Sequence, residues 1–190
     1  MPVYQYPEPE TMEALFNVTS ILKNKYDFRL CLVSGYSVDT ARTEAVKRFL
    51  ATDCDALLFV DGDIVVTEQA IEALIQSGKE AVTALYFKKS ATVREAVAFT
   101  VEENVFKSVD VDSLPDGPAK IDACGFGCVL LERDAVRKVF ERTGGVPFRF
   151  MQQQIFVSED IYFCNELMKA GIDLWLIREA RVPHVGKFMY

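Results

Sequence analysis

An unbroken apolar run, Ala56-Leu57-Leu58-Phe59-Val60, stops at Asp61-Gly62-Asp63 and resumes as Ile64-Val65-Val66. The run predicts a buried strand that ends at two carboxylates. If extended geometry continues through Gly62, residues i and i+2 face the same way with Cα atoms roughly 6–7 Å apart. Two negative charges at that separation repel by about 3 kcal/mol at an effective dielectric near 20, which invites a cation. Gly62 has no Cβ, so a bulky ligand can approach the backbone between the carboxylates. The bland alternative is a turn in which two aspartates and a glycine simply end the strand.

Bulk properties narrow the classes. With 190 residues, half of them hydrophobic and 26% charged, the chain fits one domain over 1–190 with a sizeable core. A net charge of −7 with no long Lys/Arg run argues against nucleic-acid binding, which rests on phosphate neutralisation. An anionic ligand would therefore need a metal or local dipoles. No apolar segment approaches the roughly 18–20 residues of a membrane-spanning helix, and Met1-Pro2-Val3-Tyr4-Gln5 lacks a basic, then apolar leader. The expected setting is soluble and cytoplasmic, with a longer parent polypeptide left open. Cys31, Cys54, Cys124, Cys128 and Cys164 are scattered without a C-x-x-C pair and read as reduced core thiols; Cys124 and Cys128 as half a zinc site lack a second pair.

Strand-like runs alternate with amphipathic patterns through the first half, the signature of βαβ units and a mostly parallel sheet flanked by helices. Strands are expected at 3–6, 28–33, 56–60 and 80–87. The first helix opens at Pro9 with Met12, Leu15, Phe16, Thr19 and Leu22 inward, and the second shows Ala41, Ala45, Val46, Phe49 and Leu50. Thr67 reads as the N-cap of a third helix carrying Ile71, Leu74 and Ile75, which stops at Gly78. Ser34, Asp61 and Phe87 then fall at carboxyl ends of strands, the edge where open α/β sheets bind ligands.

The second half changes character. Residues 93–111 predict two antiparallel strands about Glu102-Glu103-Asn104, and 121–131 one glycine-interrupted strand. A helix on Ala135, Val136, Val139 and Phe140 ends at Gly144-Gly145. Ser158 caps another with Ile161, Cys164, Leu167 and Met168 inward and Gly171 as its stop, and 174–177 is a last core strand before His184.

Four further features could carry chemistry. Arg42 stands in the first turn of its helix, where the macrodipole disfavours a cation, so it contacts either a phosphate or base, or an acid such as Asp39. Gly125-Phe126-Gly127 marks a close approach by ligand or backbone, or a β-bulge. Ser158-Glu159-Asp160 places two acids in a helix's first turn, as dipole partners or with Asp160 as a general base. His184, the single histidine, lies in the tight segment Pro183-His184-Val185-Gly186 as an ordinary polar residue or as a ligand beside two aspartates.

Taken in order, Leu57-Leu58-Phe59-Val60-Asp61-Gly62-Asp63, Ala123-Cys124-Gly125-Phe126-Gly127-Cys128, Ser158-Glu159-Asp160 and Pro183-His184-Val185-Gly186 resemble glycosyltransferases of the glycosyltransferase-A fold, related to the large family 2 group and its short viral and bacterial members. The resemblance spans about Arg29 to Gly186. It implies a single Rossmann-like α/β domain with a small antiparallel second-half element, its nucleotide-binding half at about 1–90 and its acceptor and catalytic half at about 91–190. It implies a hexosyltransferase that moves a sugar from a nucleotide-diphosphate sugar, of UDP type, to a hydroxyl of a glycan, lipid or protein. Asp63, Asp61 and His184 are implied around Mn²⁺ or Mg²⁺, the softer imidazole favouring Mn²⁺. Asp160, with Glu159 beside it, is implied as the general base that deprotonates the acceptor, giving inversion. Tyr4, Tyr6, Ser34, Gly35, Arg42, Asp61, Gly62, Gly125, Phe126 and Gly127 are implied at the donor. The chain departs from family 2 in lacking its proline-and-threonine opening after the first strand. Rivals are a sugar-1-phosphate nucleotidyltransferase, which needs a glycine-rich basic loop that Met1 to Glu10 does not supply, and a catalytically silent nucleotide-sugar or carbohydrate-binding domain. A calcium-stabilised site would want alternating oxygen ligands around Asp61.

Overall fold

In chain order, β1 (Pro2–Val3) leads to α1 (Pro9–Leu22), β2 (Val33–Ser34), α2 (Val38–Leu50), β3 (Ala56–Val60), α3 (Glu68–Gln76) and β4 (Ala81–Leu85). There follow β5 (Ala98–Glu102), β6 (Val105–Ser108), a 3-10 turn (Val111–Ser113), β7 (Pro118–Ile121), β8 (Ala123–Cys124), β9 (Cys128–Glu132) and α4 (Arg133–Arg142). The chain closes with β10 (Met151–Gln152), β11 (Phe156–Val157), α5 (Glu159–Lys169) and β12 (Leu174–Arg181). The structure, a computed structural model, describes residues 1–3, 6–90, 92, 94–103, 105–152 and 156–186.

Strand side chains alternate between two cores. Leu57 and Phe59 of β3, Val129 and Leu131 of β9, Ala81 and Leu85 of β4, and Leu174 and Leu176 of β12 face one cluster. Leu58, Val60, Cys128, Leu130, Val82, Ala84, Trp175 and Ile177 face the other. Register explains the match: Leu57 pairs with Leu131, Leu58 with Leu130 and Trp175 with Val82, so like faces meet across each ladder. The first face is covered by α2, α4 and α5 through Ala45, Val46, Phe49, Val136, Val139, Phe163 and Leu167. Val18 and Leu22 of α1 with Ala70, Ile71 and Leu74 of α3 cover the second. Thr67 caps α3 by accepting the Ala70 N–H at 3.1 Å, as its sequence predicts.

The α/β class and the layering of helices on both faces of one sheet hold, while the expected mostly parallel sheet is mixed. Its order is β3-β9-β4-β12-β7. The strands β3, β4 and β12 run the same way, but β9 returns between β3 and β4 and pairs antiparallel with both, and only β12 and β4 form a parallel ladder within this sheet. The run 121–131 therefore serves two sheets, with β9 in the main one and β8 joined to the antiparallel hairpin of β5 and β6.

Other boundaries shift for identifiable reasons. The strand expected at 28–33 is Val33–Ser34, paired in parallel with Pro2 and Val3, and Leu30 and Leu32 are exposed. Of the strand expected at 3–6, residues 4 and 5 lie outside those described. The inward face of α1 is Thr11, Val18 and Leu22 with Leu15 partly buried against the same core, as expected for Leu15 and Leu22, while Phe16 is 72% exposed. In α5 Phe163 takes the core position and Met168 is exposed. All five cysteines are free, and among the described residues no helix is long and apolar enough to cross a membrane.

Phe59, Phe126, Phe148 and Phe163 form an aromatic knot beneath the site, with the Phe148 and Phe163 rings stacked 4.6 Å apart and the other contacts edge-on. Truncating Phe163 to Ala should cost about 3–5 kcal/mol. Urea unfolding that shows a loss below about 1 kcal/mol would mean the knot collapses to fill the space.

Candidate active site

The carboxyl ends of β3, β4 and β12 converge at one edge of the sheet. Because β9 runs the other way, the turn that precedes it, Gly125-Phe126-Gly127, reaches that edge too, and the Gly127 carbonyl accepts the Asp61 N–H at 2.9 Å. The N-terminus of α5 closes the opposite side. Between them lies a cleft of about 460 Å³.

Arg42 is 3% exposed and lies at the base of the cleft. Its Nη2 donates to both carboxylate oxygens of Asp61 at 2.9 Å, and its Nη1 donates to Glu159 Oε1. The guanidinium carbon stands 5.6 Å from the centre of the Phe126 ring. Of the two partners weighed for Arg42, an acid prevails, but the acids are Asp61 and Glu159 instead of Asp39. Burial pushes both the Asp61 and the Glu159 carboxyl above the ordinary range, and Arg42 pulls against it.

Asp63 has different company. The chain does not stay extended through Gly62: the Ile64 N–H returns to the Asp61 carbonyl in a turn, and Glu8 N–H bonds the Gly62 carbonyl at 2.7 Å. The turn separates the two carboxylates' partners. Asp63 Oδ2 accepts from Lys89 Nζ at 2.5 Å and lies 3.4 Å from His184 Nε2. Burial opposes the Asp63 charge, yet His184 and Lys89 hold its carboxyl down at about 2. Its share of stability is thus present above the usual carboxylate range and is lost as pH falls towards 2.

His184 arrives beyond the end of β12, where backbone pairing fixes it: the Val65 N–H bonds the Pro183 carbonyl at 3.0 Å and the Val185 N–H bonds the Asp63 carbonyl at 2.8 Å. Its Nδ1 lies 2.9 Å from the Phe87 carbonyl, which only accepts, so Nδ1 carries the proton and Nε2 faces Asp63. Burial lowers the imidazole pKa, but Asp63 and the Phe87 carbonyl outweigh it and raise it above the ordinary 6.5.

Across the cleft, Asp160 Oδ1 accepts from the Ser158 hydroxyl and from the Ile161 N–H at 2.8 Å. That leaves Oδ2 towards Gly125, 3.6 Å from where a Cβ on that glycine would sit. The glycines answer a close approach by a side chain: a Cβ on Gly125 would lie 2.4 Å from Tyr86 Oη, and one on Gly127 would lie 2.7 Å from Tyr86 Cζ.

The cleft thus gathers Arg42, Asp61, Asp63, Gly125, Phe126, Gly127, Glu159, Asp160 and His184 from the sequence candidates. Phe126 is buried with its ring in the aromatic knot, and Glu159 is held by Arg42 in a supporting place. Gly62, Ser34, Gly35 and Tyr6 are not in the cleft wall; Ser34 ends β2 and is exposed, as is Gly35 after it, and Tyr6 is 90% exposed. Tyr4 lies outside the described residues. Tyr86, Lys88, Lys89 and Val97 line the cleft without having been singled out. Their signal was position, since Tyr86 to Lys89 follow β4 at the ligand-binding edge.

No protein-family model matches the chain, and no curated protein matches it in sequence. Its three-dimensional likenesses show a glycosyltransferase-A-like fold. Among solved structures, A197 from STIV superposes with a TM-score of 0.64 at 20% identity, over 98% of this chain and 83% of that one. GalNAc-T7 with UDP, GalNAc and Mn2+ superposes with a TM-score of 0.56 at 14% identity, over 95% of this chain and 36% of that one.

Replacing Arg42 by Met should destabilise the protein by about 3–5 kcal/mol, because the buried Glu159 and the half-buried Asp61 lose their counter-charge. Adding Glu159→Gln to that variant should recover part of the loss. Denaturant titration of both variants checks this, and an Arg42→Met change costing under about 1 kcal/mol would show that water replaces the guanidinium.

Proposed function

We infer that the protein is a metal-dependent glycosyltransferase of hexosyltransferase type, which moves a sugar from a nucleotide-diphosphate sugar, of UDP type, to an acceptor hydroxyl on a glycan, lipid or protein. The observation that carries this is one cleft with Asp63 and His184 on one wall and Asp160 on the other, in a glycosyltransferase-A-like fold. The solved structure of the fold relative GalNAc-T7 holds UDP, GalNAc and Mn2+, which supports the same ligand classes here. Five free cysteines agree with a reducing cytoplasm.

The donor set fits a divalent ion. Among the described residues no three His, Cys, Asp or Glu side chains already form a metal cluster. Asp63 and His184 do offer mixed carboxylate and imidazole ligation, and the Phe87 carbonyl fixes the tautomer that leaves Nε2 available, as ligating histidines require. Asp61, whose two oxygens both accept from Arg42, is better placed to orient the nucleotide or metal-bound water than to ligate directly. When bound, a divalent ion neutralises the charge that grows on the diphosphate leaving group.

The chain's own residues do the rest. Asp160 lines the cleft with Oδ1 anchored by the Ser158 hydroxyl and the Ile161 N–H, and its Oδ2 lies on the Gly125 side, where Tyr86 Oη and Val97 already occupy the place a Cβ would take. Asp160 takes the acceptor's proton as its oxygen attacks the anomeric carbon from the side opposite the leaving group, which gives inversion. Lys88 and Lys89 line the cleft and add positive charge to a chain of net −7.

UDP or a UDP-sugar should raise the melting temperature in Mn²⁺ and much less in EDTA; GDP or dTDP in its place would change only the base. Asp63→Ala and His184→Ala should each abolish the metal-dependent part while unfolding stays cooperative. Metal affinity should climb as pH rises through the raised His184 pKa, because the protonated imidazole cannot ligate. Equal stabilisation with and without metal would overturn the metal assignment.

Asp160→Asn keeps size and most hydrogen bonding but removes the proton acceptor. Sugar transfer should fall at least about 10²-fold with UDP affinity retained. Near-normal transfer in that variant would remove the general base from the scheme.

A further inference from the structure

Tyr86 follows β4 directly, is 5% exposed and lines the cleft. Its Oη accepts the Gly127 N–H at 3.0 Å. A phenol also has a proton to donate, and among the described residues none accepts it. Its oxygen thus has the one partner a buried polar group ordinarily finds, and its donor is left over on a residue that lines the cleft. Burial raises the phenol pKa well above its usual value, which keeps the donor protonated.

The fold is arranged around this side chain. Both Gly125 and Gly127 lack a Cβ where one would strike the Tyr86 ring or hydroxyl, so the ring sits flush against the turn. On one side its ring meets that of His184 edge-on at 5.6 Å. On the other, the point a Gly125 Cβ would occupy is 2.4 Å from Tyr86 Oη, 2.7 Å from Val97 Cγ1 and 3.6 Å from Asp160 Oδ2, so hydroxyl and carboxylate flank the same glycine at the cleft.

Position along the cleft names the ligand atom class. With the diphosphate against Asp63 and His184 and the acceptor hydroxyl against Asp160, the transferred hexose must lie between them, and Tyr86 stands between the same two groups. We propose that Tyr86 is a donor-sugar-binding residue whose O–H donates a hydrogen bond to an oxygen of the transferred hexose, while its Oη stays anchored on the Gly127 N–H. The proposal rests on the glycosyltransferase reading above. The nucleoside and diphosphate take no part in this contact, so the hydroxyl distinguishes a nucleotide-sugar from its nucleotide.

The test is Tyr86→Phe, with calorimetric affinities in Mn²⁺ for the pairs UDP and UDP-glucose, UDP and UDP-N-acetylgalactosamine, and GDP and GDP-mannose. For the pair that the wild type binds, the variant should hold the free nucleotide within twofold and bind the nucleotide-sugar about 3- to 10-fold more weakly, the loss of one neutral hydrogen bond. Affinities unchanged for both members would make Tyr86 a structural filler, and equal weakening of both would make it a brace for His184; either overturns the proposal and leaves the glycosyltransferase reading standing. A wild type that binds neither member of any pair overturns both. A second measurement needs no variant: the Gly127 amide proton should shift on adding the nucleotide-sugar beyond its shift with the nucleotide alone, because an O–H that donates onward strengthens the bond its oxygen accepts. No such difference would count against the contact.

Discussion

A single buried guanidinium joins the two halves of the cleft. Arg42 comes from α2, Asp61 from the end of β3 and Glu159 from the start of α5, and all three meet away from bulk water. Each carboxylate alone would be costly at that depth, and the cation makes both tolerable only if its geometry is satisfied. Two of its three nitrogens are engaged; Nε is buried without a partner, above the aromatic knot that fixes the guanidinium plane. Across the whole cleft the four carboxylates of Asp61, Asp63, Glu159 and Asp160 face Arg42, Lys88, Lys89 and His184, so acids and bases nearly balance.

Topology then decides which residues share that cleft. In a wholly parallel sheet, the turn before a strand lies at the amino edge, away from ligands. Reversing β9 between β3 and β4 carries Gly125-Phe126-Gly127 to the carboxyl edge, where its backbone bonds both Asp61 and Tyr86. Phe126 roots that turn in the core, so the two glycines are held close to Tyr86 without any side chain of their own.

Much of this was legible in the residues and some was not, for physical reasons. The helices and β3 followed from period and capping, since Thr67 and Pro9 act locally. Asp61, Asp63, Asp160 and His184 carried a recognisable order along the chain, and the fold brings them to one cleft. Arg42 showed that something must compensate a cation in a helix's first turn, but the acid one turn away was the visible partner, and Glu159 lies 117 positions on. Strand pairing has the same limit: the alternation in 128–132 sets its two faces but not its neighbours. Tyr86 escaped notice because its meaning lies in two glycines about forty residues away.

The two aspartates of Asp61-Gly62-Asp63 are similarly half-buried, yet their neighbours assign them different work. Asp61 is gripped at both oxygens by a guanidinium whose side chain is 4% exposed, and breaking that grip would leave buried charge behind. Asp63 is held by Lys89, whose side chain is 38% exposed and returns to water at little cost, an exposed ion pair being worth about 0–1 kcal/mol. Only the second carboxylate can therefore exchange its protein cation for another. Under the proposed function, Asp63 and His184 would hold a divalent ion in place of the Lys89 ammonium, which would stay at the cleft wall as a counter-charge for an anionic ligand. The turn at Gly62 makes that division possible, because it sends Asp63 towards the exchangeable partner while Asp61 stays bound to the core.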